Sequence, residues 1–206
     1  YKENPEYAVQ TLQAAEQGGA ECIVLCDTNG GCMPWEIRDI MKEIHDAVSV
    51  PLGIHTHNDA GMAAANTVTA VKNGAVHVHG TINGVGERTG NADLCTVIGT
   101  LQAKLGYTCV PDSNLESLVE ISRFFYEIAN TIPQDSQPFV GKNAFAHKGG
   151  VHVSGVSKNP RTYEHIDPET VGNTRHIPIS ELSGRSNVLN RLKEYHLEDK
   201  PEKITT

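Results

Sequence analysis

Hydrophobic residues in the first half of the chain alternate between short apolar runs and stretches with helical spacing. The apolar runs begin near residues 21, 50 and 75, and a polar or glycine-rich loop follows each of them. A strand followed by a helix, repeated three times, predicts a parallel sheet connected by right-handed crossovers. The loops after the strands are polar and flexible, whereas the loops before them are short. We therefore expect functional residues at the carboxyl edge of this sheet.

Sequence signals also place the helices of this region. Asn4 and Pro5 form a typical helix start, and Pro34 opens the next helix. Residues 60–73 and 92–105 keep helical spacing and predict two further helices. Each predicted helix adjoins a predicted strand, as a repeated βα unit requires.

The periodicity changes after Tyr107, where helical patterns replace the repeat. One helix is predicted over residues 115–130. Its expected core face consists of Leu118, Ile121, Phe124, Phe125 and Ile128. Residues 141–163 predict short helices joined by functional loops, and a last amphipathic helix is expected near residues 187–195.

Composition excludes several classes of protein. The 206 residues include 38% hydrophobic residues and carry a formal net charge of −8 without any Lys/Arg run, which argues against a nucleic-acid-binding surface. No apolar stretch reaches the length of a membrane span. The chain begins with Tyr1 and no signal peptide follows, so we expect it to start inside a larger protein.

The five cysteines do not have the spacing of a disulfide framework. Cys22 and Cys26 lie in one apolar strand and are expected to be buried thiols in a reducing cytosol. Cys32 lies in a loop and is the cysteine to test for reactivity, although a structural role is favoured.

Two histidines end the second predicted strand. Side chains alternate along a strand, so His55 and His57 project to the same face about 6.6 Å apart. Two imidazoles in that arrangement can bind one cation. The alternative is a pair of partly exposed histidines at a strand end without a metal.

Several longer segments resemble a known family of enzymes. Residues 55–61 (HTHNDAG) and 83–92 (NGVGERTGNA) together look like the 2-isopropylmalate, homocitrate and citramalate synthase family. Residues 143–152 (NAFAHKGGVH) resemble the first helical subdomain that follows the barrel in these synthases. Residues 161–169 and 180–187 look most like the citramalate synthase branch.

The resemblance implies an α/β fold with two domains. Residues 1–110 would be three βα units from the C-terminal part of a (β/α)8 TIM barrel, and residues 111–206 a small, mainly α-helical subdomain. The family's Asp-Gly-x-Gln segment, whose aspartate binds the metal, does not occur in this chain. The chain is therefore expected to be a fragment that has no condensing activity by itself.

The resemblance also implies an activity. Such an enzyme is an acyltransferase that condenses acetyl-CoA with a 2-oxo acid, most similar here to a citramalate synthase acting on pyruvate. It would use a divalent ion (Zn²⁺, Mn²⁺ or Mg²⁺) and work in the cytoplasm in branched-chain amino acid biosynthesis. The alternatives are 2-isopropylmalate or homocitrate synthase, a lyase or carboxyltransferase of the same superfamily, and a non-catalytic metal-binding or dimerisation module.

The matching positions imply roles for individual residues. His55 and His57 would be metal ligands, and Asn91 a nearby oxygen ligand. Thr28 matches a hydroxyl that binds the substrate carboxylate, with capping of the next helix as its alternative role.

A second group of implied roles lies in the helical subdomain. His152 matches a histidine that serves the neighbouring chain's active site in the family's homodimers, and Tyr163 matches a tyrosine that works beside it. Family members often carry an acidic residue where this chain has Ser154, so that position is not assigned a role in proton transfer. His147 is expected to be an ordinary surface residue.

Two further features have less specific interpretations. His77 and His79 also share one face of a strand, but lining of the pocket is favoured because the family does not require histidine there. Glu87 and Arg88 are expected to form an internal salt bridge that orders their loop. The glycines of this loop do not have the spacing of a phosphate-binding P-loop.

Overall fold

A computed structural model describes residues 1–178 of the chain. The chain divides into two compact units, Tyr1–Cys109 (unit 1) and a second that begins at Val110 (unit 2). The helix expected near residues 187–195 and the segment 180–187 lie outside the described residues. No helix within residues 1–178 combines the length and the apolar character that crossing a membrane requires.

Unit 1 consists of alternating helices and strands. Its elements are α1 (Pro5–Gln17), β1 (Ile23–Asp27), α2 (Pro34–Ala47), β2 (Leu52–Thr56), α3 (Ala63–Lys72), β3 (Ala75–His79) and α4 (Leu94–Ile98). The three strands form one parallel sheet in the order β1-β2-β3. The predicted strands, their parallel direction and their order are therefore confirmed.

One face of the sheet packs against helices. Ile54 of β2 is buried in a cluster with Met41 and Ile44 of α2 and with Ala70 of α3. Since side chains alternate along β2, the residues on either side of Ile54 face away from these helices. His55 therefore lies on the face of the sheet opposite to the core.

The same alternation corrects the prediction for two cysteines. Cys26 pairs in register with His55, on the face of the sheet away from the helices, and it is exposed. Cys22 precedes β1 and is exposed as well. The apolar pattern of the strand did not distinguish its two faces, so the prediction that both thiols are buried is wrong.

A bulge in β3 turns the side chain of Val76 away from the core. The register shifts so that Ala75 pairs with Leu52 while His77 pairs with Gly53. Val76, between them, is 76% exposed, whereas Val78 packs against the core. The bulge separates the two valines, which regular alternation would place on the same face.

The fourth predicted helix is shorter than expected. Its first residue, Ala92, donates its N–H to the carbonyl of Thr56 at 3.0 Å, so it belongs to the sheet edge rather than to a helix. Asp93 caps α4 by accepting a hydrogen bond from the Cys95 N–H. After Ile98 the chain continues as a π-helical segment, Gly99–Lys104.

Unit 2 is mainly helical. Its elements are α5 (Asp112–Leu115), α6 (Leu118–Ile128), α7 (Gly150–Lys158) and two 3₁₀ turns, Pro160–Thr162 and Pro168–Val171. The helix expected over residues 115–130 is α6, which begins later and ends earlier than predicted, and the short helix α5 precedes it. Its predicted core face is correct in part, because Leu118 is buried and Phe125 is half-buried. The other three predicted residues, Ile121, Phe124 and Ile128, are exposed. Val119, Ser122 and Tyr126 are buried in their place.

Candidate active site

His55 and His57 converge at the carboxyl end of β2. Thr56 between them is fully buried and donates its hydroxyl to the Ala63 carbonyl of α3, at 3.0 Å. The two histidines therefore point to the opposite face, where their Nε2 atoms lie 3.2 Å apart. Zinc–nitrogen bonds in proteins are usually 2.0–2.1 Å long. If both nitrogens bound one zinc ion at that length, their 3.2 Å separation would correspond to an N–Zn–N angle of about 100°. The pair thus has the separation of two ligands of a common cation.

A carbonyl fixes the other ring nitrogen of His57. His57 Nδ1 lies 2.7 Å from the carbonyl oxygen of Thr28, at the end of β1. A carbonyl only accepts hydrogen bonds, so Nδ1 carries the hydrogen and Nε2 has a free lone pair. Metal-binding histidines characteristically donate their second N–H to such an acceptor.

The surroundings of His55 favour its neutral form. Burial lowers the pKa of His55, and the neighbouring His57 and His79 act in the same direction. A metal binds the neutral form of imidazole. The local electrostatics therefore suit a ligand role for His55.

Asn91 supplies an oxygen beside the two histidines. It forms an isolated antiparallel bridge with His57, and its Nδ2 donates to the Val85 carbonyl at 3.0 Å. Its Oδ1 is buried without a hydrogen-bond partner among residues 1–178. A buried amide oxygen without a partner is rare, and a bound cation would satisfy it. The three residues thus fit a divalent ion with imidazole and oxygen ligands.

The remaining ligands are not found among the described residues. Residues 1–178 hold no group of three or more His, Cys, Asp and Glu side chains placed to bind a metal. The candidate set in unit 1 is two imidazoles and one amide, so an ion bound there would lack a carboxylate ligand.

Thr28 contributes its backbone to the site. Its carbonyl binds His57, and its side chain is exposed. The N-cap position of α2 is Met33, so the alternative role of Thr28 as a helix cap is wrong.

Arg88 has a different main partner from the one expected. Its Nε and Nη2 donate to Asp59 Oδ1 and Oδ2 at 2.8 and 2.9 Å, whereas Glu87 lies 3.7 Å away on the surface. The predicted salt bridge within the loop is therefore a minor contact. The ion pair with Asp59 instead connects the loops after β2 and β3. No local sequence pattern indicated this ion pair, because Arg88 and Asp59 are 29 positions apart.

The second histidine pair lies next to the first on the same face of the sheet. The rings of His77 and His79 have centroids 4.8 Å apart, and the ring of His79 lies 5.6 Å from that of His55. Both side chains are exposed. This position is compatible with the predicted lining of a pocket.

Unit 2 brings together the two residues implied in proton transfer. The rings of His152 and Tyr163 stack with centroids 4.5 Å apart. Both side chains are exposed, His152 on α7 and Tyr163 just after the 3₁₀ turn that follows. A surface groove lies beside these residues, and both Ser154 and Tyr163 line it.

His147 is not a surface residue, contrary to the prediction. It is 7% exposed, and its Nε2 lies 3.1 Å from the Glu164 carboxylate. Arg175 donates Nε and Nη2 to the same carboxylate, each at 2.6 Å. The hydrogen bonds from Arg175 hold the pKa of Glu164 below its usual range. His147, Glu164 and Arg175 therefore form one hydrogen-bonded cluster, and Glu164 directly follows Tyr163 in the sequence.

Cys32 is a structural rather than a reactive thiol. Burial, assisted by the neighbouring Asp27 carboxylate, raises its pKa to about 11. A thiol with such a pKa is protonated near neutral pH and is a weak nucleophile.

Two parts of the chain match known protein families. Residues 1–125 match the HMGL-like family, and residues 139–206 match the family described as homocitrate synthase post-HMGL domain-like. The first match confirms the predicted fold class, because the HMGL-like family consists of TIM barrels.

Curated relatives match the chain over almost all of its length. It is 52% identical to an (R)-citramalate synthase of Geobacter sulfurreducens, over 100% of this chain and 39% of the relative. Identity to an (R)-citramalate synthase of Aquifex aeolicus is 54%, over 98% of this chain and 38% of the relative. A probable 2-isopropylmalate synthase of Methanopyrus kandleri is 40% identical, over 97% of this chain and 40% of the relative. The chain thus spans about two fifths of the length of these relatives.

Among solved structures, the HMG-CoA lyase of Bacillus subtilis has a similar fold. The TM-score is 0.57, with 23% identity, over 64% of this chain and 46% of the lyase. At this identity the likeness concerns the fold alone.

Proposed function

The chain belongs to the HMGL-like family, and we propose that it is part of a longer enzyme that condenses acetyl-CoA with a 2-oxo acid. Pyruvate is the expected 2-oxo acid and citramalate the product. The observation that carries this proposal is the 52–54% identity to two (R)-citramalate synthases over nearly the whole chain. The lower identity to a 2-isopropylmalate synthase makes that activity the second candidate.

In this proposal His55, His57 and Asn91 hold a divalent ion, Zn²⁺, Mn²⁺ or Mg²⁺. The 3.2 Å separation of the imidazole nitrogens and the partnerless Asn91 oxygen support it. Such an ion supplies Lewis-acid polarisation of a carbonyl group. The carboxylate ligand that unit 1 lacks would come from the rest of the protein.

Thr28 is proposed to bind the substrate carboxylate. Its exposed side chain stands at the end of β1, and its own carbonyl lies 2.7 Å from the ring of His57. A hydroxyl in that position can donate a hydrogen bond to a carboxylate close to the two imidazoles. This contact would orient the 2-oxo acid relative to the ligand histidines.

His152 and Tyr163 are proposed to move protons in the reaction. Condensation removes a proton from the acetyl methyl carbon, and that carbon then forms a bond to the keto carbon of the 2-oxo acid. Water afterwards cleaves the thioester and releases CoA. A histidine can accept and return a proton near neutral pH, and the tyrosine stacked on it carries a hydroxyl that can assist.

The proposals on partners, location and pathway are based on the resemblance to the synthases. His152 would serve the active site of the partner chain in a homodimer, and the ligands would be small molecules rather than nucleic acid or a membrane. The reaction would take place in the cytoplasm and supply isoleucine and leucine biosynthesis. Support for a synthase over a lyase comes from residues 139–206, which match a homocitrate synthase domain.

Measurement of CoA release tests the proposal. The full-length protein is supplied with acetyl-CoA, a divalent metal and each of a panel of 2-oxo acids, and His55→Ala serves as the inactive control. We expect release to be fastest with pyruvate, with citramalate as the product.

Other outcomes would identify the alternatives. A preference for 2-oxoisovalerate or 2-oxoglutarate would favour a 2-isopropylmalate or a homocitrate synthase. Carbon–carbon cleavage of an added 3-hydroxyacyl-CoA, without CoA release from acetyl-CoA and a 2-oxo acid, would favour a lyase. Metal binding without turnover of any substrate would favour a non-catalytic module.

A further inference from the structure

Arg88 connects the three loops that follow the strands of unit 1. Its guanidinium forms two hydrogen bonds with Asp59 in the loop after β2, at 2.8 and 2.9 Å. Its Nη2 also donates to the Thr28 carbonyl after β1, at 2.8 Å. The same carbonyl oxygen accepts the hydrogen bond from His57 Nδ1. Arg88 and His57 thus share one acceptor.

The hydrogens of this arrangement can be assigned. Nη2 carries two hydrogens, and the Thr28 carbonyl and Asp59 Oδ2 take one each. No hydrogen of Nη2 remains for His57 Nδ1, although the two nitrogens are 3.0 Å apart. Nδ1 must therefore carry its own hydrogen and donate it to Thr28. This leaves the lone pair of Nε2 directed at the side where His55 lies.

Charge is balanced within the arrangement. An arginine this close to an imidazole would oppose a cation bound to that ring. The Asp59 carboxylate, bound to the guanidinium through both oxygens, offsets this charge. Two parallel hydrogen bonds also fix the plane of the guanidinium, which a lysine ammonium cannot reproduce.

The backbone of the loops is shaped around the ion pair. Arg88 adopts a left-handed conformation with φ of 57°, which is uncommon for a residue other than glycine. Gly30 approaches Asp59 so closely that a Cβ there would lie 2.3 Å from Asp59 Oδ2. Local strain and close approach of this kind are maintained where the surrounding contacts require one geometry.

We propose that Arg88, held by Asp59, is a positioning residue that fixes the Thr28 carbonyl and thereby orients His57 Nε2 toward His55 for metal binding. The proposal deepens the proposed function and rests on the metal site it contains. It assigns Arg88 and Asp59 no contact with the metal or the substrate.

Titration of the full-length apoprotein with Co²⁺, in competition with a chelator, tests this role. The variants are Arg88→Ala, Arg88→Lys and Asp59→Asn, and the matched control is Arg38→Ala, which breaks the exposed Arg38–Asp39 ion pair on α2. Loss of an outer partner of a ligand typically weakens metal affinity by about 10–100-fold. We expect a loss in that range for Arg88→Ala, most of the same loss for Arg88→Lys, and no change for Arg38→Ala.

The outcomes separate this inference from the proposed function. Unchanged Co²⁺ affinity in Arg88→Ala, with affinity abolished in His55→Ala, would overturn the positioning role and leave the metal site intact. If Arg88→Ala does not fold, Asp59→Asn and Arg88→Lys give the same test, and unchanged affinity in both would overturn the role. Because binding is measured without substrate, absence of condensing activity in the wild type would refute the proposed reaction but not this inference.

Discussion

Tyr163 lies directly against Gly155. A methyl group on Gly155 would come within 2.5 Å of Tyr163 Cε2, closer than carbon atoms approach without a clash. The same ring stacks on His152, with the ring centroids 4.5 Å apart. The absence of a side chain at residue 155 therefore permits the stacking of the two residues proposed to move protons.

Gly155→Ala is expected to displace Tyr163 from His152 and to lower kcat by about tenfold or more, because small misplacements of catalytic groups have large effects on rate. Cobalt affinity should not change, since the substitution lies in unit 2. Steady-state kinetics and Co²⁺ titration of the full-length protein measure the two quantities.

Gly150→Ala is the matched control for this substitution. Gly150 belongs to the same helix, and a Cβ there has no neighbour within 4 Å. An equal fall in kcat for both variants would show that α7 does not tolerate alanine in general, and that the Tyr163 contact has no special role.

The buried Glu164 predicts a pH-dependent stability. Because Arg175 lowers its pKa in the folded protein, Glu164 stabilises the fold above its unfolded pKa, and this contribution is lost as the pH falls through the lower folded value. Glu164→Gln should therefore destabilise the protein at pH 7 by about 1.5–3 kcal/mol, the usual range for a hydrogen bond to a charged group.

Thermal unfolding measured from pH 7 down to pH 3 tests this expectation. The difference between the wild type and Glu164→Gln should shrink as the pH falls below the normal range of glutamate. Glu120→Gln, on the exposed side of α6, serves as the control and should not alter the midpoint. A difference that stays constant with pH would mean that the charge of Glu164 does not stabilise the fold.

Hybrid dimers test whether His152 serves the partner chain. The full-length variants His55→Ala and His152→Ala are each expected to be inactive alone. In a mixed dimer, one site combines the intact metal ligands of one chain with the intact His152 of the other. Mixing should therefore restore part of the CoA release.

Subunit exchange has to be demonstrated independently, for example by mass spectrometry of differently tagged chains. If exchange occurs and no activity returns, His152 acts within its own chain or has no part in catalysis.

The sequence predicted the parts of the site that depend on local patterns. The apolar run before His55 indicates a strand, and alternation along a strand places His55 and His57 on one face. Asn91 is 34 positions from His57, and its place beside the pair was implied only by the family resemblance. Its bridge to His57 agrees with that expectation.

Features that depend on tertiary packing were not predictable from one sequence. Nothing local indicates that Arg88 pairs with Asp59 rather than with the adjacent Glu87. The sequence around His147 is typical of a polar loop, and its burial depends on contacts with Glu164, which also binds Arg175. On α6 the helical period was correct, but which apolar face becomes buried depends on neighbours such as Gln137, whose Oε1 accepts a hydrogen bond from the Tyr126 hydroxyl.

His55 and His57 are the proposed ligands of a catalytic divalent ion, and the Co²⁺ affinity of three full-length proteins tests this claim directly. These are the wild type, His55→Ala and His77→Ala, which removes a histidine from the neighbouring pair on the same face of the sheet. We predict that His55→Ala weakens Co²⁺ binding by more than about 100-fold and abolishes metal activation. This loss is larger than the loss typical for a residue that only hydrogen-bonds a metal ligand. His77→Ala should bind Co²⁺ as the wild type does. Equal losses in the two variants, or unchanged affinity in His55→Ala, would contradict the claim.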